Sequence, residues 1–361
     1  MLLLRRRFTL SSLVFFLGGC ASAFAGQASG NAPRGGDSTV KVEIALGPGR
    51  EAAVEYIPVS GKPPLASPGT LYIKNAVRLG TLELGTPSAD TTLELRLDDH
   101  GGAWRLGVRN PQSGTEVGNV ALAPSPVAAT SATRAVALLA EAKDAARLVI
   151  SWNGREVSSP IQFLAPPPSR GLDNGRPNEP VNREHFSDAT IQGRSQMLSQ
   201  NNLTALTFAG SRSVSVSYLR DGLSADGPDH ARAASAAPGS VIELTQASVP
   251  WLKTETPLRF GSHVIVAGPH PRAHSRSYGL WLKRVSNGWR LIFNDQANVW
   301  GTMHDVAADV AEVELAHRAG QDAATPFAVS LVPDGPDRGQ LVLRWGRDTW
   351  SVPFEIMSSG R

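Results

Sequence analysis

A chain of 361 residues that is 41% hydrophobic and 19% charged is long enough for two or three domains and too apolar to be disordered throughout. Its 35 glycines and 26 prolines favour many turns over long helices. The net charge of +3 is matched by Arg5, Arg6 and Arg7 at the N-terminus, so the rest of the chain is neutral and lacks the electrostatic footing of a nucleic-acid binder.

Residues 1–19 read as a signal peptide. The three arginines form a basic n-region, and Phe8–Leu17 is an apolar run too short to span a bilayer. Leu17-Gly18-Gly19-Cys20 then resembles the bacterial lipobox, in which the cysteine is lipidated and becomes the mature N-terminus. Cys20 is the single cysteine of the chain, which rules out an intrachain disulfide and suits that role. Two alternatives stand beside it. Cleavage after Ala23-Phe24-Ala25 would release a soluble periplasmic or secreted protein, and an uncleaved segment would leave a free thiol. Arg5-Arg6-Arg7-Phe8 also resembles a twin-arginine export signal. The expectation is an exported cell-envelope lipoprotein, held to the membrane through Cys20 by a flexible tether at 20–38.

From Thr39 onward, apolar and polar residues alternate in short runs. Val40, Val42, Ile44 and Leu46 show the period first, and it returns at 52–57, 93–97, 104–108, 214–218, 280–285, 311–315 and 327–331. Turn-forming clusters such as Asp98-Asp99-His100-Gly101-Gly102 and Pro333-Asp334-Gly335-Pro336 separate the runs. The pattern predicts an all-β protein of antiparallel sandwich or barrel type.

The alanine-rich stretch Ala129–Leu148 has helical propensity, but an internal comparison argues otherwise. Arg134–Phe163 aligns without gaps onto Phe327–Ile356, with nine identities that include Trp152/Trp345 and Pro160/Pro353. The later copy interrupts the stretch with prolines and glycines, so a strand-turn-strand is expected in both. Ala52–Gly61 likewise resembles Arg212–Gly222, and Val77–Gly85 resembles Leu258–Gly268. We therefore expect two tandem antiparallel β-sandwich or barrel-like domains related by internal duplication. They would occupy residues 39–164 and 203–361, joined by a Pro/Asn-rich linker at 165–202.

The second copy carries what the first lacks. Its strand Gly288–Asn294 runs into a polar loop that holds Asp295, Trp300, Gly301, His304 and Asp305, whereas the copy of the strand at Ala103–Asn110 has no aromatic loop. An aromatic side chain among asparagines and aspartates suits carbohydrate or peptide recognition, so Asn294, Asp295, Trp300, Gly301, His304 and Asp305 are the candidate ligand-binding residues. Packing is the competing reading for Trp300, and capping of a short helix at 306–310 for Asp305. Trp104, Trp152, Trp289 and Trp345 recur in both copies and are expected in the core.

His263, His270 and His274 are weak metal candidates, since Gly268 and Pro271 argue for a loop rather than the helix face that a four-residue spacing would need. No G-x-S-x-G elbow, phosphate-binding loop or dinucleotide fingerprint is present, and no cofactor is expected.

Trp289, Leu291, Asn294, Trp300, Gly301, Asp305, Trp345 and Ser351-Val352-Pro353-Phe354 together resemble the bacterial family DUF2911, over about Phe260–Ile356. His304 stands where that family has tyrosine, and its W-R-x-G-A-N-E-A motif is absent, since Leu252-Lys253-Thr254-Glu255 follows Trp251. The resemblance implies an exported β-rich domain and no assigned activity. The expected function is a non-enzymatic envelope binding or interaction module, with an envelope protein or glycan as partner. The alternative is a metal-dependent or hydrolytic enzyme using His263, His270, His274, His304 and Asp305.

Overall fold

The computed structural model describes residues 39–47, 49–58, 69–87, 89–100, 103–124, 134–152, 154–164, 201–219, 224–242, 244, 249–267, 277–296, 304–320 and 324–357. All of them belong to one compact unit, Asp37–Arg361. The first half contains β1 (Val40–Ala45), β2 (Glu51–Tyr56), β3 (Gly69–Lys74), β4 (Val77–Leu79), β5 (Leu82–Leu84), β6 (Asp90–His100), β7 (Ala103–Arg109), β8 (Glu116–Ala121), β9 (Ala123–Pro124), β10 (Ala135–Ala142), β11 (Ala145–Trp152) and β12 (Arg155–Phe163). The second contains β13 (Asn201–Phe208), β14 (Arg212–Leu219), the helix α1 (Pro228–Ala234), β15 (Val241–Ile242), β16 (Trp251–Thr254), β17 (Leu258–Phe260) and β18 (His263–Ile265). It continues with β19 (Ser277–Val285), β20 (Gly288–Asn294), β21 (Asp309–Ala319), β22 (Thr325–Pro333), β23 (Arg338–Gly346) and β24 (Asp348–Ile356). The protein is all-β, as the alternating pattern predicts, and every strand pairing is antiparallel among the described residues.

One ladder runs through both halves in the order β8-β7-β6-β3-β2-β1-β13-β14-β16-β19-β20-β21. Its period-two burial is that of a sheet with one face in a core, for example BiBiBi along β1. Over that face lie two shorter sheets, β5-β4-β12-β11-β10 and β18-β17-β24-β23-β22. A single apolar cluster fills the space between the layers and draws on both halves. The layers join at a corner in each half. β21 pairs with β20 as far as Leu315 and with β24 from Ala316, and β8 and β9 do the same, with β9 crossing onto β12. Each half is thus a sandwich closed along one side, which gives it a barrel-like section.

From Ala135 onward the alanine-rich stretch forms β10 and the start of β11. Six consecutive residues of β10, Ala135–Ala140, are buried, because its second face packs on β22, where Ala137, Leu139 and Val149 meet Val332. Small side chains permit that approach, and the helical preference of alanine, below about 1 kcal/mol per residue, yields to it.

Apart from β15, which lies between β14 and β16 and has no counterpart, the strands of the two halves match. β1, β2, β3, β4, β5, β6, β7, β10, β11 and β12 correspond to β13, β14, β16, β17, β18, β19, β20, β22, β23 and β24, while β8 with β9 corresponds to β21. Register is kept as well: Val77↔Leu84 and Val77↔Phe163 in the first half answer Leu258↔Ile265 and Leu258↔Ile356 in the second. Even the bulge between Val108 and Arg109 reappears between Phe293 and Asn294. The recurring prolines have a reason in this frame. Pro353 sits where β24 has left β21 at Ser351 and has not yet met β17 at Glu355, so that side of the strand has no ladder bond to lose.

Candidate functional site

The second half departs from the first mainly by additions. Counting along matched strands, it is longer by nineteen residues between β14 and β16, four between β18 and β19, and eight between β20 and β21. The first holds α1. The other two open at the same end of the sheet, where Val266, Tyr278 and Asp295 meet: the Tyr278 hydroxyl donates to the Val266 carbonyl at 3.1 Å, and burial followed by the charge of Asp295 pushes the phenol up from its ordinary value.

In the first half the β7–β8 connection closes in six residues, held by Asn110 N–H to the Thr115 carbonyl and by an Asx turn on Asn110. The bond at its base returns in the second half as Asp295 N–H to the Ala308 carbonyl, but fourteen residues now lie between Asn294 and Asp309. A polar network organises this larger hairpin. Asn294, 2% exposed, donates through Nδ2 to the Asp305 carbonyl and to Asp309 Oδ1, both at 2.9 Å, and accepts the Gln296 N–H on Oδ1. His304 Nε2 donates to Asp309 Oδ1 at 2.7 Å. Gln296 Nε2 donates to Asp305 Oδ2, and Asp305 Oδ1 caps the 3-10 turn Val306–Ala308 by accepting the Ala307 N–H. The expected helix at 306–310 is therefore only this short turn, because β21 begins at Asp309.

The structure thus brings Asn294, Asp295, His304 and Asp305 to one place. Trp300, Gly301, His270, His274 and Cys20 lie outside the described residues, and His263 is exposed at the start of β18. Sequence reasoning missed Asp309, on which Asn294 and His304 converge, and Trp281, whose buried ring meets His304 edge-on at 5.2 Å. Trp281 belongs to a layer on the outer face of the shared sheet, with Val249, Ile292, Val241 and Trp251. The matching positions of the first half are Thr70, Arg96 and Gly107 in place of Trp251, Trp281 and Ile292. The signal was visible as a tryptophan facing an arginine between copies, but only strand register shows that those residues correspond.

A carboxylate oxygen accepts, so His304 presents Nε2–H to Asp309 and leaves Nδ1 on the other side of the ring. The site offers oriented amide, carboxylate and imidazole groups beside an aromatic wall, which suits hydrogen bonding to a polar ligand. Among the described residues, no group of three or more His, Cys, Asp or Glu is placed to hold a metal ion.

Further along the outer face, Glu312 takes Lys283 Nζ on Oε1 at 2.5 Å and Arg290 Nη1 on Oε2 at 3.3 Å. Burial alone would raise its carboxyl, but those two cations outweigh burial and hold it below the usual carboxylate range. Such a group stabilises the fold above its unfolded-state pKa and loses that contribution as pH falls through the folded one. Glu312→Gln is therefore expected to cost about 0.5–1 kcal/mol at pH 7, with the difference from wild type vanishing in acid. Denaturant titrations at pH 7 and pH 3 check this; an equal gap at both would remove Glu312 from the account.

A second polar cluster at the opposite end was also unseen in the sequence. The Asp348 carboxylate accepts from His317 Nε2 at 2.7 Å and from His230 Nε2 at 3.0 Å, and His317 stacks on Trp350. Gly346, at φ +59°, leaves room for His230, because a Cβ there would lie 2.5 Å from the imidazole. These contacts fix α1 on the β23–β24 turn.

The architecture is that of an all-β protein with two matched barrel-like halves, in which the second alone carries an enlarged, polar-based hairpin. Residues 252–354 match the family model described as "Protein of unknown function (DUF2911)". The match takes in β16 through most of β24, and with it the hairpin and Asp309. No curated protein and no solved structure matches the chain.

Proposed function

We propose that the protein is a cell-envelope lipoprotein, anchored through Cys20, whose second half is a binding module with its ligand surface on the β20–β21 hairpin. One observation carries the reading: the hairpin is eight residues longer than its counterpart although the bond at its base is kept. An addition that leaves the scaffold intact is what a binding loop on a rigid support requires. Asn294, Asp295, His304 and Asp305 supply the base of the surface, and Trp300 and Gly301 are the further residues that this reading assigns to ligand binding. The partner is an envelope protein or glycan with hydrogen-bonding groups. The two halves are, on this reading, copies of one ancestral unit, which their matched pairing and register support.

An array of envelope glycans and peptides tests the binding reading. Trp300→Ala should weaken capture at least about tenfold, roughly 1.4 kcal/mol, with the melting temperature nearly unchanged. Unchanged capture, or a loss of several kcal/mol of stability, would assign Trp300 to packing and sink the reading. Mass spectrometry of the mature N-terminus tests the anchor: an acylated Cys20 is expected, and an unmodified chain beginning after Ala25 would overturn it.

A further inference from the structure

The halves meet along β1 and β13 in a register that has a centre. Matched positions in β1/β13 and β2/β14 lie 162 apart, as Tyr56 and Tyr218 do, and Glu43 pairs with Ala205, its own counterpart. Lys41↔Thr207 and Ala45↔Leu203 then exchange places about that pair, as a local twofold axis demands. β10 and β22, which also correspond, pack on one another. Charges reach across the seam in both directions, although Arg134 and Arg344 are not counterparts: their matched positions are Phe327 and Ser151. Tyr56 lies by Arg134 within electrostatic reach of Asp334 from the other half, and Tyr218 lies by Arg344, which is in reach of Glu141 from the first half. Glu141 and Asp334 are themselves counterparts. Arg344 also donates to the Ala140 carbonyl across the seam.

An interface of this kind is isologous in design: the same patch from each side, facing itself. We infer that the surface the second half turns toward the first is self-complementary, so that the second half is built to pair with a second copy of itself and the first half occupies that copy's place. Substituting counterparts across the seam shows why only one half retains the property. A pairing of two second halves sets Ala205 against Ala205 and Thr204 against Leu206. It gives Arg344 the carboxylate of Asp334 in place of Glu141, and replaces the like charge of Arg147 by Gln340. A pairing of two first halves sets Glu43 directly against Glu43, a like-charged cross-strand pair that opposes association. The inference rests on the halves being copies, and its failure would leave that reading standing, since the copies are recognised by strand register and not by affinity.

The test uses the full chain with a protease site placed within residues 165–200. After cleavage, exchange in mild denaturant and return to buffer, native mass spectrometry counts the pairs. Second-half homodimers are expected beside first–second pairs, with first-half homodimers at least tenfold rarer. First–second pairs accompanied only by single second halves would overturn the inference. A full-length chimera with residues 201–356 in place of 40–163 gives an independent reading should the cleaved halves aggregate: a soluble monomer with one unfolding transition supports the inference, and an insoluble chain refutes it.

Discussion

Trp345→Ala is expected to destabilise the protein by about 3–5 kcal/mol, the cost of deleting a large buried aromatic whose site cannot collapse. The indole is fully buried, packs edge-on against Phe327 at 6.0 Å and His230 at 5.5 Å, and donates Nε1–H to the Ser224 carbonyl at 3.0 Å. It joins the central core to α1, so the substitution removes apolar burial and also orphans a carbonyl. Trp345→Phe separates these contributions: the ring is mostly restored and the hydrogen bond is lost, for which about 1–2 kcal/mol is expected. In that variant, amide exchange should rise first in residues 224–235, which depend on Ser224 and His230 for attachment. Denaturant unfolding at pH 7 gives the energies. A change below about 1 kcal/mol for the alanine variant would place the ring outside the core.

Ala205→Pro is expected to cost at least about 3 kcal/mol and to bring both halves down in one transition. β13 is paired on both sides, with β1 and with β14, so a residue without an N–H and with a fixed φ has no solvent side on which to sit. The natural Pro353 shows the contrast, since its strand has a free side at that point. Because the apolar cluster runs unbroken through both halves, breaking the seam exposes core from each. Tryptophan fluorescence and far-ultraviolet dichroism should therefore report one shared midpoint. Two separated transitions, with one half keeping its wild-type midpoint, would refute the shared core.

Features set by neighbouring residues are legible in the sequence, and features set by distant ones are not. Alternation in β1 or β20 was legible because side-chain period two is a property of neighbouring residues, and eight of the nine identities between Arg134–Phe163 and Phe327–Ile356 fall on strands whose registers coincide, the ninth, Asp144/Asp337, lying in the turn between them. Asn294 and Asp305 were legible as candidates because they flank an aromatic-bearing stretch of sequence that the first half lacks. Asp309 was not, since an aspartate opening a strand looks like any solvated residue until His304 and Asn294 are seen to converge on it. Nor was the pairing of Asp348 with His230, 118 positions away.

By itself, then, the sequence determined the strand-forming pattern, the likeness between its two halves and the face each strand turns inward, because all of these are written in local periodicity and chain-internal similarity. Tertiary structure alone decided that β1 pairs with β13, that Glu43 meets its own counterpart, and that an outer layer of tryptophan is buried beside the hairpin. Those outcomes depend on which distant backbone edges and side chains can satisfy one another, and no window of neighbouring residues contains that information.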